Sequence, residues 1–530
     1  MRSATVRTMF VFALACASLS VVSHAADITT NGTGGGRWGD STTWHGGVVP
    51  GTEDVAVIAM RDAVVFDGND VEKATCKELY IDPEGSVTLR TAAGEDRCTL
   101  SVAGIFESYG IIRIDGSQTP RANYELRLIA PGDGDRVLKL QPGAGLLVYG
   151  AKDLPENGRN VRITAPAPLK DQPHVAAAIN AVTDVMLDIH NAQLNDIQLS
   201  AASLDNTGAK ANQRLNIIDN LFYGVSRIQL GSCDTPNVRG NHFDTQGQHI
   251  GGTAFVRGDS CKLVQHRNNT FVGSFDYGII FSNDTDSAIT GNTITGAGPA
   301  NTRAIYYHGR NGMIQNNRTK DCFAGMRTES AIAVVENLSI DNCNTAVEMV
   351  NSNLQFTTMR INGIAEGGFA MSLNTSTATL LNCNVADDRI KLENTPAAGQ
   401  TFFIAAMQYL VVKVSGQYPQ GSVVSVKTAD VSGGVQPGKA DLNVRNSPAR
   451  LNGEGLTSLP KSSEPLVVHS WRIGADQKRV TAPFYDILVI APPSGDAPGQ
   501  TLKTVRVEPS NAWFRDDPES AVPTVEVSVP

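Results

Sequence analysis

From Leu215 to Val385 the apolar and polar positions return in one short unit: an apolar residue, two spacers, usually Asn, one spacer, then a large residue. It reads Ile217-Ile218-Asp219-Asn220-Leu221-Phe222, Val238-Arg239-Gly240-Asn241-His242-Phe243 and His266-Arg267-Asn268-Asn269-Thr270-Phe271. Ile289-Thr290-Gly291-Asn292-Thr293-Ile294 and Ile314-Gln315-Asn316-Asn317-Arg318-Thr319 follow, and weaker copies centre on Leu338, Met359 and Cys383. The centres lie 21, 28, 23, 25, 21, 21 and 24 residues apart. Short strands at a period of 20 to 30, with no helical spacing, indicate a solenoid whose repeats stack to share one core. Asn tolerates the left-handed backbone of a tight turn, and stacked Asn side chains can bond along the axis. The pattern predicts an all-β chain with a right-handed parallel β-helix at its centre.

Either side, the pattern changes. Residues 26–130 carry alternating runs such as Asp54-Val55-Ala56-Val57-Ile58, Glu78-Leu79-Tyr80-Ile81 and Gly110-Ile111-Ile112-Arg113-Ile114, bounded by Gly, Pro or Asp, which predict a separate β-rich domain. Residues 131–400 form the β-helix; within them His174 to Leu187 has Ala-rich, near-helical spacing that suits a short helix or an irregular early coil. Residues 401–530 return to alternating strands, among them Tyr409-Leu410-Val411-Val412-Lys413-Val414 and Phe484-Tyr485-Asp486-Ile487-Leu488-Val489. These predict a β-sandwich, with a Pro-, Asp- and Glu-rich tail from Pro509. Residues 1–25 read as a signal peptide: Arg2 and Arg7 precede the apolar run Met9 to Ala17, and Ser23-His24-Ala25 supplies small residues for cleavage. Lipidation at Cys16 is the rival reading. No later stretch is long and apolar enough to span a membrane as a helix, so a secreted, periplasmic or cell-surface protein is expected.

The opening Trp38-Gly39-Asp40, Thr43-Trp44-His45-Gly46-Gly47, Val49-Pro50-Gly51 and Asp54-Val55 resembles the extracellular domain named for its eight glycines, found ahead of β-helices in large cell-surface proteins, some of which take part in hyaluronan breakdown. Its two tryptophans suit a cap on the solenoid better than a sugar-stacking pair. The repeat itself resembles that of the pectate-lyase-like superfamily, which implies a carbohydrate-directed protein acting on an extracellular polysaccharide.

Composition narrows the partners. A net charge of -9 and a pI near 5.5 argue against a general nucleic-acid binder, which would show a basic surface. Export makes disulfides plausible. Cys233 and Cys261 each precede their Asn by eight residues, while Cys322 and Cys343 each follow their centre by five. Coils about 4.8 Å apart bring such pairs within disulfide reach. Cys233–Cys261 and Cys322–Cys343 are therefore expected bridges, with Cys76–Cys98 a third; a ladder of buried thiols is the alternative.

Counting back from each centre separates the faces, because strand side chains alternate. Ile280, Ser282, Ile305, Tyr307, Met326, Thr328, Val347 and Met349 fall inside. Phe281, Tyr306, Arg327 and Glu348 form one outward line, and Asn283, His308 and Glu329 the next. In the earlier coils Ile228, Leu230 and Val256 fall inside, with Gln229, Phe255 and Arg257 outside. Aromatic rings stack on sugars, Arg binds carboxylates and His works as acid or base near neutral pH. The expected catalytic group is His308, oriented by Glu329, with Arg327 neutralising a substrate carboxylate and Tyr306 stacking on or protonating the sugar. Arg257, Phe281 and Glu348 extend it as substrate-binding residues. By fold analogy the leaning is a polysaccharide lyase or glycoside hydrolase. The competing reading is a non-catalytic surface, adhesion or carbohydrate-binding scaffold, whose outer face is polar by default. The sequence specifies no cofactor with certainty, though Asp284 and Asp286 could hold calcium; no other metal-ligand spacing, phosphate loop or nucleophile elbow appears. The Gly-His-Gly of polygalacturonase-type hydrolases is missing, so Arg389-Ile390-Lys391 and Asp387-Asp388 stand without partners.

Overall fold

The computed structural model describes residues 26–530 except 68–74, 92–95, 130–136, 153, 155–158, 166–176, 209–212, 299–301, 386, 397–401, 429–443, 460–463, 482–483, 495–496 and 508–523. The signal peptide and Cys16 lie outside the described residues, as does most of the acidic tail. Apart from short 3₁₀ turns, every regular element among the described residues is a strand. No helix among them is long and apolar enough to cross a membrane, which says nothing of a β-barrel.

About 13 turns of parallel solenoid stack three sheets. In the coil that starts at Met186, sheet A contributes Met186–His190, sheet B Gln193–Asn195 and sheet C Ile197–Ala202. Sheet A runs from Gly35–Arg37 to the strand Phe402–Gly416, and sheet C from Asp27–Thr29 to Ile390–Glu393, always in parallel pairs. The pairing continues across residue 130: Glu107 lies beside Lys139, and Lys139 beside Asn180. The boundary read from the sequence thus has no counterpart in the ladder. In the described coils before Asn220 the rung position is held by Ser117, Ala151 and Ala192 rather than Asn, so their repeat is invisible to the Asn pattern. Ala177–Ala181 and Met186–His190 are strands, not a helix, because their small and branched side chains face the shared core. Trp38 and Trp44 are buried edge to face at the first coil, with Trp38 stacked 4.4 Å from Phe66. Trp44 Nε1 donates to the Trp38 carbonyl at 2.8 Å. They close the end of the core and present no ring to a ligand.

The repeat unit sits at the A–B corner. Its left-handed residue is the one before each centre, at Asp219, Gly240, Asn268, Gly291 and Asn316, which corrects the expectation that the Asn itself takes that backbone. The five asparagines that follow are buried and form a ladder. The Nδ2 of Asn220, Asn241, Asn269 and Asn292 each donates to the next Oδ1 at 3.0–3.1 Å. The same Oδ1 also accepts the preceding rung's backbone N–H at 2.9–3.0 Å. Each rung thereby satisfies the polar groups that the sharp corner takes out of the strand ladder. Beyond Asn317 the rung becomes Leu338 and Met359, which are buried apolar side chains, and then Cys383, whose Sγ accepts the Met359 N–H at 3.3 Å.

The cysteines follow the same rule, Cys383 at the A–B corner and the others at the other two corners. Cys233, Cys261, Cys322, Cys343 and Cys383 each follow a left-handed residue (Ser232, Ser260, Asp321, Asn342, Asn382), and each Sγ donates to the carbonyl two residues back at 3.1–3.6 Å. Ser352 and Ser376 make the same bond at 2.8 Å in their own coils. All seven described cysteines are free thiols, which corrects the three expected disulfides. Cys233 and Cys261 stack thiol on thiol, as do Cys322 and Cys343, but each thiol serves its own turn. Cys76 is in register with Val102, whereas Cys98 lies four residues earlier on that strand beside Tyr124, too far along for a bridge. Alkylation of the unreduced, denatured protein should tag all seven; recovery of a Cys233–Cys261 or Cys322–Cys343 peptide would reverse the assignment.

The strand Phe402–Gly416 belongs to two units. Its first half extends sheet A, with Ile404 beside Ala378, and the antiparallel strand Leu466–Gly474 pairs on it. Its second half pairs in parallel with Thr524–Val529, so the chain ends in a strand and not in the expected tail. A four-stranded sheet of Ala449–Arg450, Val423–Thr428, Tyr485–Ile490 and Thr501–Val507 packs on it. Leu410, Val412, Val424, Val426, Val468, Tyr485, Ile487 and Val527 fill the space between, as expected of a sandwich.

Candidate functional site

Sheet C carries the outward lines, and the register corrects one of them. Ile280 lies beside Tyr306 and Phe281 beside Tyr307, with both Phe281 and Tyr307 fully buried. Phe281 is a core residue. Asn283 is an extra residue in its strand, left-handed, with Ser282 beside His308 and Asp284 beside Gly309. That bulge shifts the count by one, and a one-residue slip exchanges the faces. Phe255 is also buried, with its centroid 5.0–5.5 Å from Phe243, Phe271 and Phe275, at the B–C corner where the next coils place Gly278 and Ala304. Arg257 does point out, in the column Gln229, Arg257, Ile280, Tyr306, Arg327, Glu348. Ile280 separates it from Tyr306.

The remaining expected residues meet. Tyr306 Oη donates to Glu329 at 3.0 Å; Arg327 lies 3.4 Å from Glu348 and 3.9 Å from Glu329. Sequence reasoning missed two members, Arg303 and Tyr277, which stand in the outward column beyond the bend. Arg303 reaches Glu348 at 3.5 Å and lies 5.8 Å over the Tyr277 ring and 5.7 Å over Phe323. Tyr277 and Tyr306 sit edge to face at 5.9 Å. Strict alternation passes over both, because two consecutive buried residues follow each at the bend: Gly278 and Ile279 after Tyr277, Ala304 and Ile305 after Arg303. A small residue before the first branched one in each coil was the signal that could have found them. Burial, then the bond and charge of Glu329, push the Tyr306 hydroxyl up to about 12, so it remains a protonated donor at neutral pH. His308 is half-buried beside Ser282, but Glu329 is held by Tyr306 and Arg327 rather than by His308.

The suggested calcium turn is not assembled. Left-handed residues at Asn283 and Asp286 turn the two carboxylates apart: Asp284 is buried, with Oδ1 accepting the Cys261 N–H at 2.8 Å, while Asp286 is exposed. Among the described residues no group of three or more His, Cys, Asp or Glu side chains is placed to hold a metal.

Sheet A carries two further features. Asp188 accepts from Tyr149 at 2.8 Å, pairs with His190 Nε2 at 2.7 Å and lies 3.5 Å from Arg214. Its burial alone would raise its pKa, but the bonds from His190 and Tyr149 outweigh this and hold it at about 2. Farther along, a groove of about 590 Å³ is lined by Met313, Ile332, Val334, Gln315, Glu336 and Gln355.

Residues 228–385 match the family model for a right-handed β-helix region. The chain is therefore of the right-handed parallel β-helix class. No curated protein matches it. Among solved structures it is similar to full-length tailspike protein 2 from Escherichia coli O157:H7 bacteriophage CAB120, at 12% identity and a TM-score of 0.17, with 85% of this chain covered. The match spans 59% of that tailspike's length. Geobacillus virus E2 ORF18 is similar at 9% identity and a TM-score of 0.18, over 83% of this chain and 70% of that one.

Proposed function

We propose that sheet C is a carbohydrate-binding face of an exported β-helix protein, and that it takes an extended extracellular polysaccharide along the solenoid axis. The observation that carries this is the cluster of Tyr277, Tyr306, Arg303 and Arg327 with Glu329 and Glu348 on one rigid sheet face. Tyrosine rings offer apolar faces to sugar rings, while guanidinium and carboxylate groups offer fixed donors and acceptors to hydroxyls. Stacked strands about 4.8 Å apart repeat those groups at a spacing close to that of successive sugar residues. Binding is favoured over cleavage at this face because Glu329, the intended partner of His308, is committed to Tyr306 and Arg327.

A panel of neutral and uronic polysaccharides, read by binding, by reducing-end release and by absorbance of unsaturated uronate, tests the reading. Retention of one polymer with neither product is the expected result. Tyr306→Ala and Arg327→Ala should each weaken that retention roughly tenfold, the loss of about 1.4 kcal/mol. Melting should change by less than loss of a buried rung such as Asn269 would change it, because the Arg327 pairs are partly exposed to solvent. Growth of absorbance would instead establish a lyase, and reducing ends alone a hydrolase. Unaltered retention in both variants would move the binding face elsewhere.

A further inference from the structure

At the B–C corner, one step before the sheet C cluster, the strand His242–Asp259 departs from its neighbour Thr270–Thr285 in two places, between Asp244 and His249 and between Ile250 and Ala254. The inserted stretch is left-handed at Gln246, Gly247 and Gly252. It is anchored by Ile250 and Phe275, which are buried and paired with each other. Alternation about Phe275 turns Ser274 and Asp276 to the same outer side, and His249 is in register with Ser274. His249 Nδ1 lies 2.8 Å from Ser274 Oγ, and its Nε2 lies 3.3 Å from Asp276 Oδ1. Asp276 is itself fixed, since its Oδ2 accepts the Gly252 N–H at 2.7 Å.

From this arrangement we infer that Ser274, His249 and Asp276 form a hydrolytic centre for acyl esters. A hydroxyl, an imidazole and a carboxylate in hydrogen-bonded sequence are what an activated serine requires, and such sets are recognised by geometry and role, not by chain order. Both ring nitrogens are engaged. Nε2–H donates to the carboxylate, leaving Nδ1 to accept the serine proton; the ring works through its other nitrogen than in the usual triad, with the same chemistry. Ser274 Oγ attacks the ester carbonyl carbon as its proton passes to Nδ1. The C–O bond to the alcohol breaks, and the departing oxygen takes that proton. Water then attacks the acyl-serine, gives one proton to Nδ1 and releases the carboxylic acid as Oγ regains it. Ester and water become acid and alcohol, with no other reactant. Approach is open, because the His249 and Asp276 side chains are 52% and 36% exposed.

The centre stands on its own geometry, but its position suggests the ester. Tyr277 directly follows Asp276, and three residues of strand place its Cα about 10 Å from that of Ser274. An O-acyl group on a glycan lying over Tyr277 and Tyr306 falls within that reach.

The full-length protein should hydrolyse p-nitrophenyl acetate, and Ser274→Ala and His249→Ala should each lower the rate by at least about 10²-fold. Asp276→Asn, at the positioning residue, should lower kcat with KM little changed. A fluorophosphonate probe should leave its adduct on the peptide containing Ser274, in the wild-type protein and not in His249→Ala. Equal rates in wild type and Ser274→Ala, or an adduct on another serine, would overturn the inference. The adduct is read on the unmutated chain, so a folding defect in a variant cannot imitate either outcome. Polysaccharide retention is a separate measurement, so failure of ester cleavage and failure of the binding face are distinguishable.

Discussion

Asn269→Ala should lower stability by roughly 3–5 kcal/mol, a loss expected at any rung that accepts two donors from the one before it. The side chain is buried; its Oδ1 accepts the backbone N–H and the Nδ2 of Asn241, and its Nδ2 donates to Asn292 and to the Val238 carbonyl. Alanine leaves the Asn241 backbone N–H and one of its two Nδ2 hydrogens unpaired in a dry corner, the other still donating to the Ile217 carbonyl, at about 1–3 kcal/mol for each buried group stranded. Asn220→Ala, at the start of the ladder, strands one donor, the Ala192 N–H, and should cost less. Urea unfolding gives the difference. Because a solenoid can open locally, hydrogen exchange at the Asn241 amide is the sharper reading, and it should accelerate in Asn269→Ala. Equal losses for the two variants would show that the rungs act by packing alone.

Asp284→Asn should remove most of a pH dependence that the wild-type protein shows between about pH 4 and 7. Burial, assisted by the charge of Asp259, pushes the Asp284 carboxyl up to about 7, although the Cys261 N–H opposes the shift. Its Oδ2 has no hydrogen-bond partner among the described residues. A carboxyl whose folded pKa exceeds its unfolded value near 3.9 binds its proton more tightly when folded. Its contribution is therefore complete below about pH 4, falls as pH rises and is lost above about 7. A rise of that size corresponds to about 4 kcal/mol. Asn resembles the protonated acid and does not titrate. Urea midpoints for the two proteins should agree at pH 4 and separate in favour of Asp284→Asn at pH 8. Parallel curves would mean that Asp284 is ionised and compensated.

The solenoid was legible because Asn220 to Asn317 must recur: a polar rung at a buried corner is useful only if the next coil supplies its partner. The first coils were not legible as part of it, since Ser117, Ala151 and Ala192 at the rung position leave no such trace. Tyr306, Arg327, Glu329 and Glu348 were found by alternation alone. Phe281 and Phe255 were misplaced by a bulge at Asn283 and a corner residue, which change the parity of a count without changing composition. The cysteines misled for a different reason. Equivalent positions in neighbouring coils do bring side chains together, but the turn's own carbonyl satisfies each thiol. Ser274, His249 and Asp276 were beyond sequence reading, because the insertion that brings His249 over Ser274 follows no repeat.

The antiparallel strand Leu466–Gly474, laid on the last rung of sheet A, has a consequence for how long this rod can grow. A parallel β-helix ends in an open row of amide and carbonyl groups, a template on which another molecule's first coil could continue the stack. Here the sheet A part of that row is filled by a strand of opposite polarity, joined to the solenoid through the unbroken strand Phe402–Gly416. At the far end, Trp38 and Trp44 plug the core. Sheet A is thereby closed to end-to-end annealing at its last rung, and the core is plugged at the first coil.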